Sequence, residues 1–122
     1  MVPKRNAKTR PGAAATNFAA VIDPAFLKVL SEPIRIEIMR ILIMEGANDI
    51  ETIAQRFPQD RSVISRHLGI LKSARLVNSE KIGRKVRYSV EASSLLQRIE
   101  LMAAKARAVL EACCPEKLQK KH

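Results

Sequence analysis

Between Asp23 and Phe57 the apolar positions recur at helical spacing. Asp23 can cap and Pro24 suits a first turn, after which Phe26, Leu27 and Leu30 make a short apolar face. In "SEPIRIEIMRILIMEG" Ser31 is the cap candidate and Pro33 falls in the first turn. Ile34, Ile38, Ile41 and Leu42 then form a stripe that Gly46 closes. "NDIETIAQRF" predicts a third helix, with Asn48 and Glu51 at capping-box spacing and Ile50, Ile53, Ala54 and Phe57 facing inward. After the tight break "PQD", Asp60 is placed to cap a fourth helix over residues 61–74.

The period then changes. Val86, Tyr88 and Val90 alternate with Arg87 and Ser89, and Gly83 marks a turn, which predicts a β-hairpin. A long last helix is expected over residues 93–114, stopped by Pro115 before a frayed tail. Helices joined by a very short turn and followed by a basic hairpin describe a winged helix-turn-helix, mainly α with a small β-hairpin. With 122 residues there is room for one ordinary domain. It is expected over residues 21–114, after a flexible basic arm (residues 1–20, with Lys4, Arg5, Lys8 and Arg10) and before a tail of residues 115–122.

At 100° per residue, Ile64, Leu68 and Leu71 share one face of the fourth helix, while Ser62, Arg66, Gly69 and Ser73 lie opposite with Ser65 beside them. Small residues, hydroxyls and one long cation suit the floor of a DNA groove. Arg66 can give two hydrogen bonds to a guanine edge, and Arg61 sits in the first turn, where recognition helices touch DNA. A Ser65–His67 hydrolase pair fails, because two residues two apart on a helix point about 200° away from each other. No partner acid or glycine-rich elbow accompanies them. His67, at the edge of the apolar face, reads as structural. Nothing else resembles catalytic machinery, and no enzyme is expected.

Charge strengthens the nucleic-acid reading. The net charge is +10, which favours a polyanionic partner. Between Asp60 and Arg87 there are eight Lys or Arg against two acids, with Lys81, Arg84, Lys85 and Arg87 around the hairpin tip. No apolar run is long enough to span a bilayer and no signal peptide is evident, so a cytoplasmic protein is expected. A solvated basic edge, a sequence-indifferent architectural DNA-binding protein and a partner-binding module that reuses the fold remain alternatives.

From Phe26 to Leu110 the chain resembles the ArsR/SmtB family of bacterial winged-helix repressors. "LSEPIRIEIMRIL" is similar to that family's Leu-Ser-Asp-Pro-x-Arg-x-x-Ile-Leu opening. "RSVISRHLGILKSARLV" is similar to its Ser-x-His-Leu-x-x-Leu-x-x-Ala-Gly-Leu-Val signature, with Arg75 where glycine is commoner, and "GRKVRYSV" to its wing. The resemblance implies a homodimer, formed through the first and last helices, that represses from a pseudo-palindromic operator. It places DNA contacts on Arg61, Ser62, Ser65 and Arg66, supported by Arg84 and Lys85. The family's usual sensing sites do not carry over. The third helix has no cysteine, the last helix has no histidine, His122 lies in the tail, and the second helix has no thiol.

Leu95, Ile99, Met102, Ala106, Val109 and Cys113 step by four and three residues, the spacing of a coiled-coil seam. With Phe26 of the first helix they are the expected dimer surface, which would set two recognition helices about 34 Å apart. The only cysteines, Cys113 and Cys114, are adjacent and cannot staple distant segments. They read either as packing residues or as sensor thiols for a metalloid, a soft metal or an oxidant. No cofactor is required by any other feature.

Overall fold

The computed structural model describes residues 23–119. The basic arm expected over residues 1–20 lies outside them. Helices are α1 (Pro24–Val29), α2 (Pro33–Glu45), α3 (Ile50–Ala54), α4 (Arg61–Ser73), α5 (Ala92–Cys113) and α6 (Pro115–Gln119). Strands are β1 (Asn48–Asp49), β2 (Val77–Ile82) and β3 (Lys85–Val90). The described residues fall into two compact units, one of residues 25–96 and one that includes residues 97–119, a division that falls inside the span 21–114 read as one domain from the sequence.

Within residues 25–96, α4 packs on α2, α3 and β2. Ile38, Ile41, Ile53, Ile64, Leu68, Leu71, Leu76 and Val77 are all but completely buried. Each such side chain contributes roughly 1.5–3 kcal/mol relative to an exposed one. The core is aliphatic, as a chain with 3% aromatic residues requires, and Phe26 is its aromatic member, 3% exposed.

The element borders differ from the sequence reading in instructive ways. Ser31 does not cap α2: its hydroxyl donates to the Lys28 carbonyl at 2.7 Å, finishing α1, and Glu32 holds the N-cap position without a side-chain bond. Asn48 does not cap α3. It pairs with Tyr88 in β1, and Asp49 caps instead, accepting from the Thr52 N–H at 2.8 Å. Asp60 occupies the N-cap position of α4, but its carboxylate makes no capping bond. Pro115 ends α5 as expected and then opens α6 rather than a frayed tail.

The hairpin acquires a third strand, in the order β1-β3-β2. Ile82 pairs with Lys85, leaving Gly83 and Arg84 as a two-residue turn. Gly83 has φ 63°, the left-handed first position that two-residue hairpin turns reserve for glycine. Arg84 is therefore held at the tip. Arg75 also has φ 63°, just past the end of α4, where the Leu76 N–H bonds back to the Leu71 carbonyl at 2.9 Å. A left-handed C′ residue is the usual helix stop, and glycine is the residue it costs least.

One polar pair enters the core. Arg35 is 8% exposed and His67 9%. The Arg35 Nε donates to the Val29 carbonyl at 2.6 Å, and its Nη1 donates to His67 Nδ1 at 3.1 Å. Arginine has only donors, so the imidazole must be neutral, with its proton on Nε2. Burial pushes the His67 pKa down, the charges of Arg35 and Arg66 push the same way, and Glu32 opposes them.

Two outcomes follow from this packing. His67 titrates near its ordinary 6.5 in the unfolded chain and lower in the fold. Its contribution is therefore complete above about pH 6.5 and is lost as the pH falls through the lowered folded value. The urea midpoint of the wild type should drop between pH 7 and pH 5.5, and the His67→Gln midpoint should drop less; equal slopes would contradict the buried neutral ring. Arg75→Gly should raise stability by about 1 kcal/mol, read from the same midpoints at pH 7. A loss would mean that packing of the Arg75 side chain outweighs its backbone.

Candidate nucleic-acid interface

Helix α4 sets the site. With Ile64, Leu68 and Leu71 fully buried, helical geometry turns Ser62, Arg66, Gly69 and Ser73 to solvent and leaves Ser65 half-buried. Arg66, Gly69, Ile70, Ser73 and Ala74 of α4 and its C-terminal end, with Val29 at the end of α1, line an open concavity of about 650 Å³. The chemistry on offer is a row of hydroxyls, one guanidinium and bare helix backbone.

The cations expected at the interface differ in their partners. Among the described residues, Arg66, Lys81 and Arg84 make no ion pair. Arg61 pairs with Glu51 of α3 at 3.0 Å, and Lys85 with Asp49 at 3.3 Å. Arg87 lies opposite Glu80 and Asp49 in the sheet, with its Nη2 3.5 Å from the Ala47 carbonyl. Arg61 and Lys85 are more than half exposed, and exposed pairs of this kind hold by 0–1 kcal/mol, so a phosphate can draw either cation away.

Sequence reasoning missed three contributors. Asp49 links the wing to the helix-turn-helix: it caps α3, pairs across to Arg87 and holds Lys85. The Thr52 N–H bond first, and Lys85 after it, hold its carboxyl below the usual carboxylate range. Glu51 restrains Arg61. Arg35 reaches α4 through His67, next to Arg66. The signal for Arg35 was present, since a long cation shares the face of Ile38, Met39 and Leu42.

The expected dimer residues are placed as follows. Phe26 is in the core of its own chain. Along α5, Leu95, Met102, Ala106 and Val109 are half-buried, and Ile99 and Cys113 are exposed. No residue of this 22-residue helix is fully buried, and Leu96, Ile99, Leu101 and Leu110 are 38–56% exposed. Both cysteines are free. The Cys113 thiol is pushed up, first by its hydrogen bond to Cys114 and then by desolvation, with Lys117 opposing. Among the described residues no group of three or more His, Cys, Asp or Glu is placed to hold a metal ion, and no helix is long and apolar enough to cross a membrane.

The comparisons with known proteins agree with this geometry. Residues 32–79 match the family model "Bacterial regulatory protein, arsR family". That span runs from the start of α2 into β2 and contains α3 and α4. Among solved structures, a possible transcriptional regulator for arsenical resistance is 27% identical, with a TM-score of 0.56 over 79% of this chain and 95% of that one. An ArsR-like transcriptional regulator from Rhodococcus sp. RHA1 is 26% identical, with a TM-score of 0.50 over 84% and 96% of the two chains. The homodimeric winged helix-turn-helix DNA-binding domain of a possible ArsR-family regulator from Mycobacterium bovis shares the fold at 22% identity, with a TM-score of 0.53 over 88% and 92%. No curated protein matches the sequence. A basic helix-turn-helix and a three-stranded wing surround a segment, residues 32–79, that is similar to the DNA-binding segment of arsR-family transcriptional regulators.

Proposed function

We propose that the chain is a repressor that sits as a homodimer on a pseudo-palindromic operator in the bacterial cytoplasm and acts by occlusion. The observation that carries this reading is the division of α4 into a fully buried aliphatic face and an exposed face of Ser62, Arg66, Gly69 and Ser73. Ser62, Ser65 and Arg66 read base edges. Arg61, Arg84 and Lys85 hold phosphates, with Lys81 and Arg87 flanking them on the wing. Helix α5 supports the dimer: an apolar stripe at seam spacing that leaves no residue fully buried in its own chain needs a partner. The Mycobacterium bovis neighbour is homodimeric, which favours a second copy as that partner. Phe26, already in the core, is left out of that surface. DNA binding itself needs no cofactor.

The release step is assigned to the thiols. Cys113 and Cys114 are adjacent free thiols, and a dimer would bring four of them to the same end of the last helices. A raised thiol pKa makes slow work of oxidation, which needs thiolate. A soft ion that displaces the proton suits the site better, so arsenite or copper(I) is favoured over peroxide.

Replacing Arg66 with alanine should cost about 1–3 kcal/mol of operator binding and relax preference at one base pair. Affinity should fall with salt at a log–log slope near −0.9 per phosphate held, with two chains per duplex. Unchanged affinity and preference in Arg66→Ala would remove the recognition role, and one chain per duplex would remove the dimer. Loss of binding to excess random duplex would favour the architectural alternative. For the thiols, arsenite or copper(I) should release DNA from the wild type and not from a Cys113→Ser, Cys114→Ser double variant, in an assay that also includes zinc and peroxide. Identical responses would assign both cysteines to packing.

A further inference from the structure

Gly69 stands near the middle of α4, four residues before its last residue. A glycine there costs a helix roughly 0.5–1 kcal/mol relative to alanine. Nothing among the described residues requires it. Its backbone is not left-handed, and a Cβ built at position 69 meets no atom within 4 Å. The reason for a missing side chain at this point has to come from outside the described fold.

Its surroundings indicate what that is. Gly69 shares its helix face with Ser62, Arg66 and Ser73, and it is exposed. It lies in the wall of the 650 Å³ concavity, between Arg66 and Ser73, with the carbons of Val29, Ile70 and Ala74 beside it. Arg66 makes no ion pair among the described residues. A concavity that mixes a free guanidinium and a hydroxyl with apolar carbon fits a sugar–phosphate strand, which offers charged oxygens and deoxyribose carbons in alternation. The net charge of +10 favours such a strand over a second copy of this chain.

We propose that Gly69 is a close-approach residue, where one sugar–phosphate strand of the bound duplex lies against the bare backbone of α4 beside Arg66. This rests on the DNA-binding reading and adds a position to it. The absent Cβ sets how deeply α4 seats, and so how well Ser62, Ser65 and Arg66 reach the bases. Stability and binding are then opposed at this single residue: the methyl group that improves the helix obstructs the strand.

The test uses the full chain and a fluorescein-labelled duplex that the wild type has selected from a random library. Gly69→Ala should raise the melting temperature by about 3–6 °C and weaken duplex binding by about tenfold or more, and Gly69→Leu should weaken it further. Sedimentation of the free protein should be unchanged. Gly69→Ala with wild-type affinity would overturn the proposal while leaving the DNA-binding reading intact. If sedimentation changes instead of affinity, the concavity belongs to a second copy. Should the wild type select no duplex, both the proposal and the reading beneath it fail.

Discussion

Everything functional in this fold depends on the burial of one face of α4. Ile64, Leu68 and Leu71 are removed from solvent against α2, α3 and β2. Their combined burial amounts to several kcal/mol, comparable to the whole stability of a small domain. That is enough to fix the rotation of the helix about its axis. Once it is fixed, the outward direction of Ser62, Arg66, Gly69 and Ser73 is a matter of helical geometry. Recognition chemistry is thus positioned by aliphatic packing rather than by polar contacts of its own.

Polar contacts refine that placement at two points. Arg35 brings a buried guanidinium between the end of α1 and the middle of α4, and its N–H donated to His67 Nδ1 keeps that ring neutral. At the other end of the motif Asp49 joins the start of α3 to the wing. The helix-turn-helix and the hairpin carrying Arg84 and Lys85 are therefore joined through one sheet. The exposed ion pairs of Arg61 and Lys85 keep both cations near where phosphates would lie, at little energetic cost to exchange.

The core elements were legible because their periodicity is strong. The stripe of α2, the two faces of α4 and the alternation of β3 all follow from sequence spacing. The caps were less legible, because adjacent polar residues compete for one position. Ser31 and Asn48 have the right chemistry, but Ser31 bonds backward to α1 and Asn48 is drawn into pairing with Tyr88. Strand β1 has only two residues and no apolar alternation, so its existence depends on a partner far along the chain. The Arg35–His67 contact joins residues 32 apart, and no local pattern announces it. Which side chains of α4 are buried and which are exposed followed from the wheel, while the pairing of Glu51 and Asp49 with Arg61 and Lys85 was invisible without the fold. Arg75 is the converse case: a departure from the glycine of the family signature that the backbone shows to be a left-handed position.

Helix α5 leaves its apolar stripe incompletely covered, while the outward face of α4 has its own concavity. The most direct measurement is an amide NMR titration of the isotope-labelled protein with a selected duplex. Shifts should concentrate at Ser62, Ser65, Arg66 and Gly69, with a second group at Arg84 and Lys85 on the wing. Shifts confined to α5, with α4 and the wing unmoved at saturation, would contradict the account.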